Sequence, residues 1–384
     1  MYLRGMYLPL MYLCLYPVLI YVDVQLEGEP KQIFRQMLVL DGNNSLKRMK
    51  TGRGQREVGD TRELNDSDYF LSNEFVNSFE NEIHRPAQSQ VKQEPEEDID
   101  QEEDIDQDDG FVTEAEDMKL KNCASNWKAA ASKEKKKMWG VFDETGIFAS
   151  ACPHGFILWL ADMIQSGELY VCLLSLSLRN ITHSFRAKYP LAMVSKSMEV
   201  FGSHLLIGYD IGCVFGGTIL STSLGAKFRE SNSRTCVNAF HGYSHNYECQ
   251  CRNHPNNITG IGLEDLETLE RVFSSSNALA AVTRYASAYR RRLFIEMHFK
   301  QWNEDKYSNL VTMLRNNYYQ ALNIIEKDGQ AANEAKLSLG ATDEELELWA
   351  TEQEEYFRKL GDEPEDQVRY IAYVELLQKL RHLE

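Results

Sequence analysis

Asp41 and Asp210 each close an apolar, strand-like run, LVLD and HLLIGYD, and four further acids, Glu264, Asp265, Glu267 and Glu270, crowd the start of a helical segment. Two carboxylates at the ends of neighbouring strands, joined by an acid from a later helix, can hold two divalent cations about 3.5–4 Å apart. Such a pair activates a water or hydroxyl and stabilises the leaving oxygen in phosphodiester chemistry. Spacing alone also admits a bland reading. In it Asp41-Gly42 turns a hairpin, Asp210 caps a helix and the glutamates form a solvated face.

A second constellation, His241, His245, Cys249, Cys251 and His254, lies within fourteen residues, with Cys236 just before it. Zinc takes four nitrogen or sulfur ligands in a tetrahedron, and His-x3-His followed by Cys-x-Cys brings the right types together. The Cys-x-Cys spacing is tighter than that of common fingers, so a loop of reduced cysteines and surface histidines stays open as the alternative. Cys152 and His154 are packing residues or distant ligands. A third stretch, RYASAYRRR, places Arg284, Arg290, Arg291 and Arg292 among tyrosines, as a surface tracking phosphates would. An ordinary basic helix face is the competing reading.

These groups need strands and helices to carry them. Residues 32–40 read as a strand, with 45–49 as its hairpin partner and a polar loop over 51–65. Residues 140–164 read as strands passing into a helix, and the run from His204 to Asp210 as a second buried strand. A helix from Cys123 carries a solvated lysine run at 133–137. From Leu263 apolar residues recur every three or four positions almost to the end, and Thr342 to Glu345 form a capping box.

The chain divides into an apolar leader (1–25), first core strands (26–66), and a weak helix with a disordered acidic insert (67–122). The rest of the core (123–235) follows, then the His/Cys-rich insert (236–262) and a helical region (263–384). Across 384 residues, 43% hydrophobic and 11% aromatic content suffices for a real core. The net charge of −17 seems hostile to nucleic acid, but residues 94–117 hold 14 acids and no Lys or Arg, which leaves the remainder at −3. That block cannot bury enough apolar surface to order itself. Eight scattered cysteines suit a reducing compartment. The leader has only Arg4 as a basic flank, Pro17 inside its apolar run and no small-residue cleavage site, which argues against a signal peptide or anchor. No membrane partner is expected.

Five motifs in order, DGNNSLKR at Asp41, WKAAASKEKKKMWGVFDETGIFASACPHGF from Trp127, HLLIGYDIGC, FHGYSHNYECQCRNHP and GLEDLETLERVFSSSN, resemble the Kyakuja-Dileera-Zisupton (KDZ) transposases of fungal mobile elements. The resemblance runs from about Leu26 to the C-terminus. It implies an α/β, RNase H-like fold, a mixed sheet flanked by helices, with a DDE catalytic set. That set would cut DNA ends and join them to a target with Mg2+ or Mn2+. Asp41 matches the first acid and Asp210 the second. The third falls on Glu267-Thr-Leu-Glu270, with Glu267 ahead of Glu270, although the glycine of the family's GEGxE pattern is missing.

The His/Cys segment is similar to the family's insert between second and third acids, implying zinc without fixing its ligands. DNA, a homo-oligomeric partner and a nuclear location are implied as well. Where the sequence departs from the family, it lacks the CxxC ahead of LEGEP and has Pro153 where arginine is usual. Residues 170–186 separate SGEL from AKYPLA and read as a retained intron, and the leader reads as a misassigned start. An active transposase and a non-catalytic, transposon-derived DNA- or protein-binding remnant are therefore the two main function classes, with a membrane-anchored protein, resting only on residues 6–24, as a third.

Overall fold

The computed structural model describes residues 32–50, 60, 62–64, 67–82, 141–164 and 179–360. Six strands form one mixed sheet: β1 (Gln36–Asn43), β2 (Arg48–Met49), β3 (Phe142–Ala151), β4 (Ile157–Ile164), β5 (Leu205–Gly208) and β6 (Arg234–Cys236). β3 lies antiparallel to both β1 and β4, while β5 runs parallel to β1 and β6 parallel to β5. The order across the sheet is thus β4-β3-β1-β5-β6. Three antiparallel strands, β1, β3 and β4, followed by parallel strands reached through helices is the RNase H-like arrangement.

Helices cover both faces: α1 (Asn73–Asn77), α2 (Arg179–Phe201), α3 (Gly212–Leu220), α4 (Gly225–Glu230), α5 (Ala239–Gly242), α6 (Tyr247–Asn253), α7 (Thr268–Ser276), α8 (Ala280–Thr283), α9 (Ala288–Leu339) and α10 (Asp343–Leu360). Every residue of β1 is buried, as a central strand covered on two sides requires. Leu38 and Leu40 join Leu205 and Ile207 under Leu191, Val194 and Met198 of α2. Met37 and Val39 join Leu206 under Leu269, Val272 and Phe273 of α7 and Ile295 and Phe299 of α9.

Two expected local structures differ. Gly42 and Asn43 do not turn a hairpin: they continue β1, paired with Phe148 and Ile147 of β3. The bend follows them, where the Asn43 side-chain oxygen accepts the Ser45 N–H at 2.8 Å. Glu144 has Ile164 of β4 on one edge, so Arg48 of β2 pairs with it on the edge that β1 occupies. β2 therefore extends along β3 as a continuation of β1 rather than folding back on it. Residues 157–164, expected to pass into a helix, form β4. This mostly apolar run, ILWLADMI, packed against β3, has no clear period to reveal which state it takes.

The capping box is present, with the Glu345 N–H donating to Thr342 Oγ1 at 3.2 Å and the Thr342 N–H to the Glu345 carboxylate at 2.8 Å. The helical hairpin it opens turns at Gly340, whose φ of +64° is the left-handed conformation that glycine adopts without strain. The expected helix over 68–83 is reduced to α1, capped by Ser72. The leader, the acidic block, the lysine run and residues 170–178 lie outside the described residues, while 179–186 open α2. No helix among the described residues is long and apolar enough to cross a membrane.

Candidate active site and metal centre

The parallel register pairs Gln36 with Leu205 and Val39 with Gly208. Asp41 lies inside β1, paired with Ala149 of β3, and Asp210 follows β5 by two residues. Side chains alternate along β1, so Asp41 falls on the face of Met37 and Val39, which α7 covers.

The chain is held in this arrangement by short-range packing. Leu266, fully buried, sits with a φ of +58° in the left-handed region, a strained state that its surroundings must enforce. Its side chain lies over Gly208, where an added Cβ would come within 3.0 Å of it. Leu266 thereby pins the turn that carries Glu267 onto the strand that carries Asp210. The Glu267 N–H donates to Asp265 at 2.9 Å, and Arg271 holds Asp265 through two nitrogens. At the other end of α7, the Asn43 amide donates to Ser276 at 3.3 Å and Asn277 at 3.0 Å, fixing the helix to β1.

Asp41 is buried and accepts the Gly42 N–H at 2.7 Å. Asp210 accepts from Asn238 at 3.0 Å. His241 stands between the second and third acids, its Nδ1 3.4 Å from Asp210 Oδ1 and 3.7 Å from Glu267 Oε2. Glu267 also accepts the Phe240 N–H at 2.8 Å. Burial, reinforced by the charges of Glu267 and Glu270 and opposed by His241, pushes the Asp210 carboxyl up to about 6. The hydrogen bond to Glu267, with the nearby acids, raises the His241 imidazole in turn. Like charges gathered around a buried carboxylate are what hard divalent cations relieve, although His241 stands between Asp210 and Glu267 here. Glu270 lies exposed one turn along α7. Glu264 and Asp265 belong to a neighbouring cleft with His154, Arg271 and Lys306, where burial pushes Glu264 up to about 7.

Next to these acids, Cys213, His245 and Cys249 bring their ligand atoms within 4.8 Å of one another, all buried. His245 Nδ1 is 3.5 Å from each sulfur, and its Nε2 is 3.1 Å from the Asp210 carbonyl oxygen. A proton on Nε2, donated to that carbonyl, leaves Nδ1 as the ligand atom, the usual arrangement of a metal-bound histidine. Cys213 was missed among the expected ligands. It comes from α3, three residues after Asp210 in YDIGC, where its spacing from that acid was the signal.

The other expected ligands are placed elsewhere. His241 is with the acids. His254 caps a short 3-10 turn by accepting the Asn256 N–H at 3.2 Å and meets the Ala239 carbonyl at 3.1 Å. Cys251, on the far side of α6 from Cys249, stands apart from the group. Cys236 is buried in the sheet, where desolvation pushes its thiol up to about 12.

The arginines also divide. Arg291 is fully buried and donates to the Leu46 carbonyl at 2.9 Å, the Gly146 carbonyl at 3.0 Å and the Asp162 carboxylate. Arg292 is largely buried, bound to Asp162 and Asn73. The expectation that these two track phosphate is corrected: they are internal struts joining α9 to the sheet. Arg284 and Arg290 are exposed.

No curated protein and no solved structure matches the chain. A sequence model of the Kyakuja-Dileera-Zisupton transposases does match, over residues 34–303, which span all six strands, the three acids and the Cys-His-Cys group. The chain belongs to the KDZ transposase family.

Proposed function

We propose that this chain is a DNA transposase that cuts the ends of its element and joins them to target DNA. Asp41, Asp210 and Glu267 would hold two Mg2+ or Mn2+ ions, with Glu270 beside them. The observation that supports the reading is His241, which stands 3.4 Å from Asp210 and 3.7 Å from Glu267 and so joins the acid that follows β5 to the one that opens α7. When bound, the ions would activate a water or 3′-hydroxyl and stabilise the leaving oxygen. The protein's part is to fix the carboxylates on two rigid strands and a pinned helix start, and to keep their surroundings dry. Arg284 and Arg290 are exposed cations available to DNA phosphates. Action on chromosomal DNA would place the protein in the nucleus, as a homo-oligomer able to hold two ends.

Purified full-length chain, given Mg2+ and duplex DNA carrying the flanks of its own gene, is expected to nick that DNA. Binding without nicking would instead favour the non-catalytic descendant. The pH dependence is specific. Since the Asp210 carboxyl is held at about 6, it carries a proton below that value and cannot ligate a cation. Cation affinity and nicking are expected to fall as pH drops through about 6, as Asp210 takes up its proton and His241, whose imidazole is raised, gains a positive charge beside Asp210 and Glu267. A titration of Mn2+ affinity against pH checks this.

The Cys213, His245 and Cys249 group would hold one Zn2+ through three protein ligands, leaving a fourth position for a further ligand. Metal analysis of protein purified without chelator is expected to give one zinc per chain. Cys213→Ser and His245→Ala are each expected to lose most of it and to lower the thermal midpoint. Stoichiometric zinc in both variants, or none in the wild type, would sink the assignment.

A further inference from the structure

Phe240 is 76% exposed, the most open phenylalanine among the described residues. Two other exposed aromatics of the same segment rest on protein partners, Tyr243 on His254 with centroids 4.8 Å apart and Tyr247 stacked on Phe357 at 5.0 Å. The Phe240 ring meets only the edge of a neighbouring system, His241, at 5.8 Å and 87°. Its backbone is fixed, because its N–H donates to Glu267 and the next residue, His241, contacts both Glu267 and Asp210. A flat apolar ring is therefore rooted one residue from the acids and aimed at solvent rather than at the core.

We propose that Phe240 is a stacking platform for the nucleobase beside the scissile phosphate, holding that base out of the duplex while the strand is cut. The inference rests on the function proposed above, since it takes the acids as the place where the phosphate sits. The Phe240 N–H is 2.8 Å from Glu267 and its ring borders His241, so the ring lies beside the place that the proposed function gives the phosphate. An uncharged ring suits this occupant, because a base offers an uncharged π-face whatever its sequence. Phe240 is accordingly a positioning residue that unstacks the end rather than one that reads it. It would be needed for intact duplex and dispensable once the base is already unpaired.

The test uses full-length protein and duplex DNA bearing the gene's own flanks, with 2-aminopurine placed in turn on each side of the nick mapped with wild type. With Ca2+ replacing Mg2+ to hold the complex uncut, wild type is expected to raise the fluorescence at one position as that base leaves the stack. Phe240→Ala is expected to abolish the rise and to slow Mg2+-dependent nicking about 10- to 100-fold, the range one aromatic–base stack supports. A mismatch that unpairs the same base is expected to restore the Phe240→Ala rate, and Phe240→Trp to keep both signals. Unchanged Mn2+ binding by Phe240→Ala shows that the acids are still in place. If wild type nicks and Phe240→Ala nicks intact duplex at the same rate, or is slowed equally on the mismatched DNA, the platform is wrong and the transposase reading stands. If wild type neither nicks nor raises the fluorescence, both are overturned.

Discussion

Arg291→Ala is expected to destabilise the protein by about 3–5 kcal/mol, read as a lower denaturant midpoint. The side chain is fully buried and its guanidinium satisfies Leu46, Gly146 and Asp162 at once, tying the bend after β1, the start of β3 and the end of β4 to α9. Removing it takes a donor from each of two carbonyls and leaves the Asp162 carboxylate with Arg292. Burial by itself would raise the Asp162 carboxyl, but the two arginines hold it below the usual carboxylate range. Its stabilising contribution is therefore complete above the ordinary aspartate value of about 3.9 and is lost as pH falls through the lower folded value. Arg291→Met and Arg292→Met combined with Asp162→Leu remove the three charges together and are expected to cost less than Arg291→Ala alone. Equal stability of Arg291→Ala and wild type would mean that α9 is not anchored through this residue.

The largest effect on activity is expected from Asp41→Asn and Asp210→Asn. Each replaces a charged ligand by a neutral amide of the same shape, so folding is spared while cation binding is not. Loss of metal-ion stabilisation of the transition state is worth about 4 kcal/mol or more, roughly a thousand-fold in nicking rate. Asp210→Asn also removes a buried negative charge that burial and its neighbours already disfavour, so this variant is expected to be as stable as wild type or more so without cations. Inactivity joined to retained stability separates a ligand from a packing residue. Glu267→Gln is expected to behave alike, and Glu270→Gln to be mild, since Glu267 holds His241 and the Phe240 N–H while Glu270 lies exposed.

What could be read from sequence follows from what is local. β1 and β5 were legible because strands covered on both faces are written as continuous apolar runs, and the acids that end them stood out for the same reason. Asp41-Gly42 was misread as a turn because its pairing partner, β3, arrives about a hundred residues later and keeps the strand extended. The Cys-His-Cys group was only partly legible: His245 and Cys249 lie four residues apart, but Cys213 comes from α3 and meets them through the fold. Charge alone marked Arg291 and Arg292 as surface groups. Nothing local announces that Asp162, in a buried strand, waits for them. Leu266 was invisible for a similar reason, since its strained φ is imposed by Gly208 beneath it.

The central claim is that Asp41, Asp210 and Glu267 form one two-cation site, and spectroscopy of bound Mn2+ tests it most directly. Titrated above pH about 7, clear of the Asp210 value, wild type is expected to bind two Mn2+ ions about 3.5–4 Å apart, with the spin coupling such a separation produces. Asp41→Asn and Asp210→Asn, one from each strand, are each expected to abolish the coupled signal. Absence of a coupled pair in wild type, or its persistence in either variant, would contradict the account.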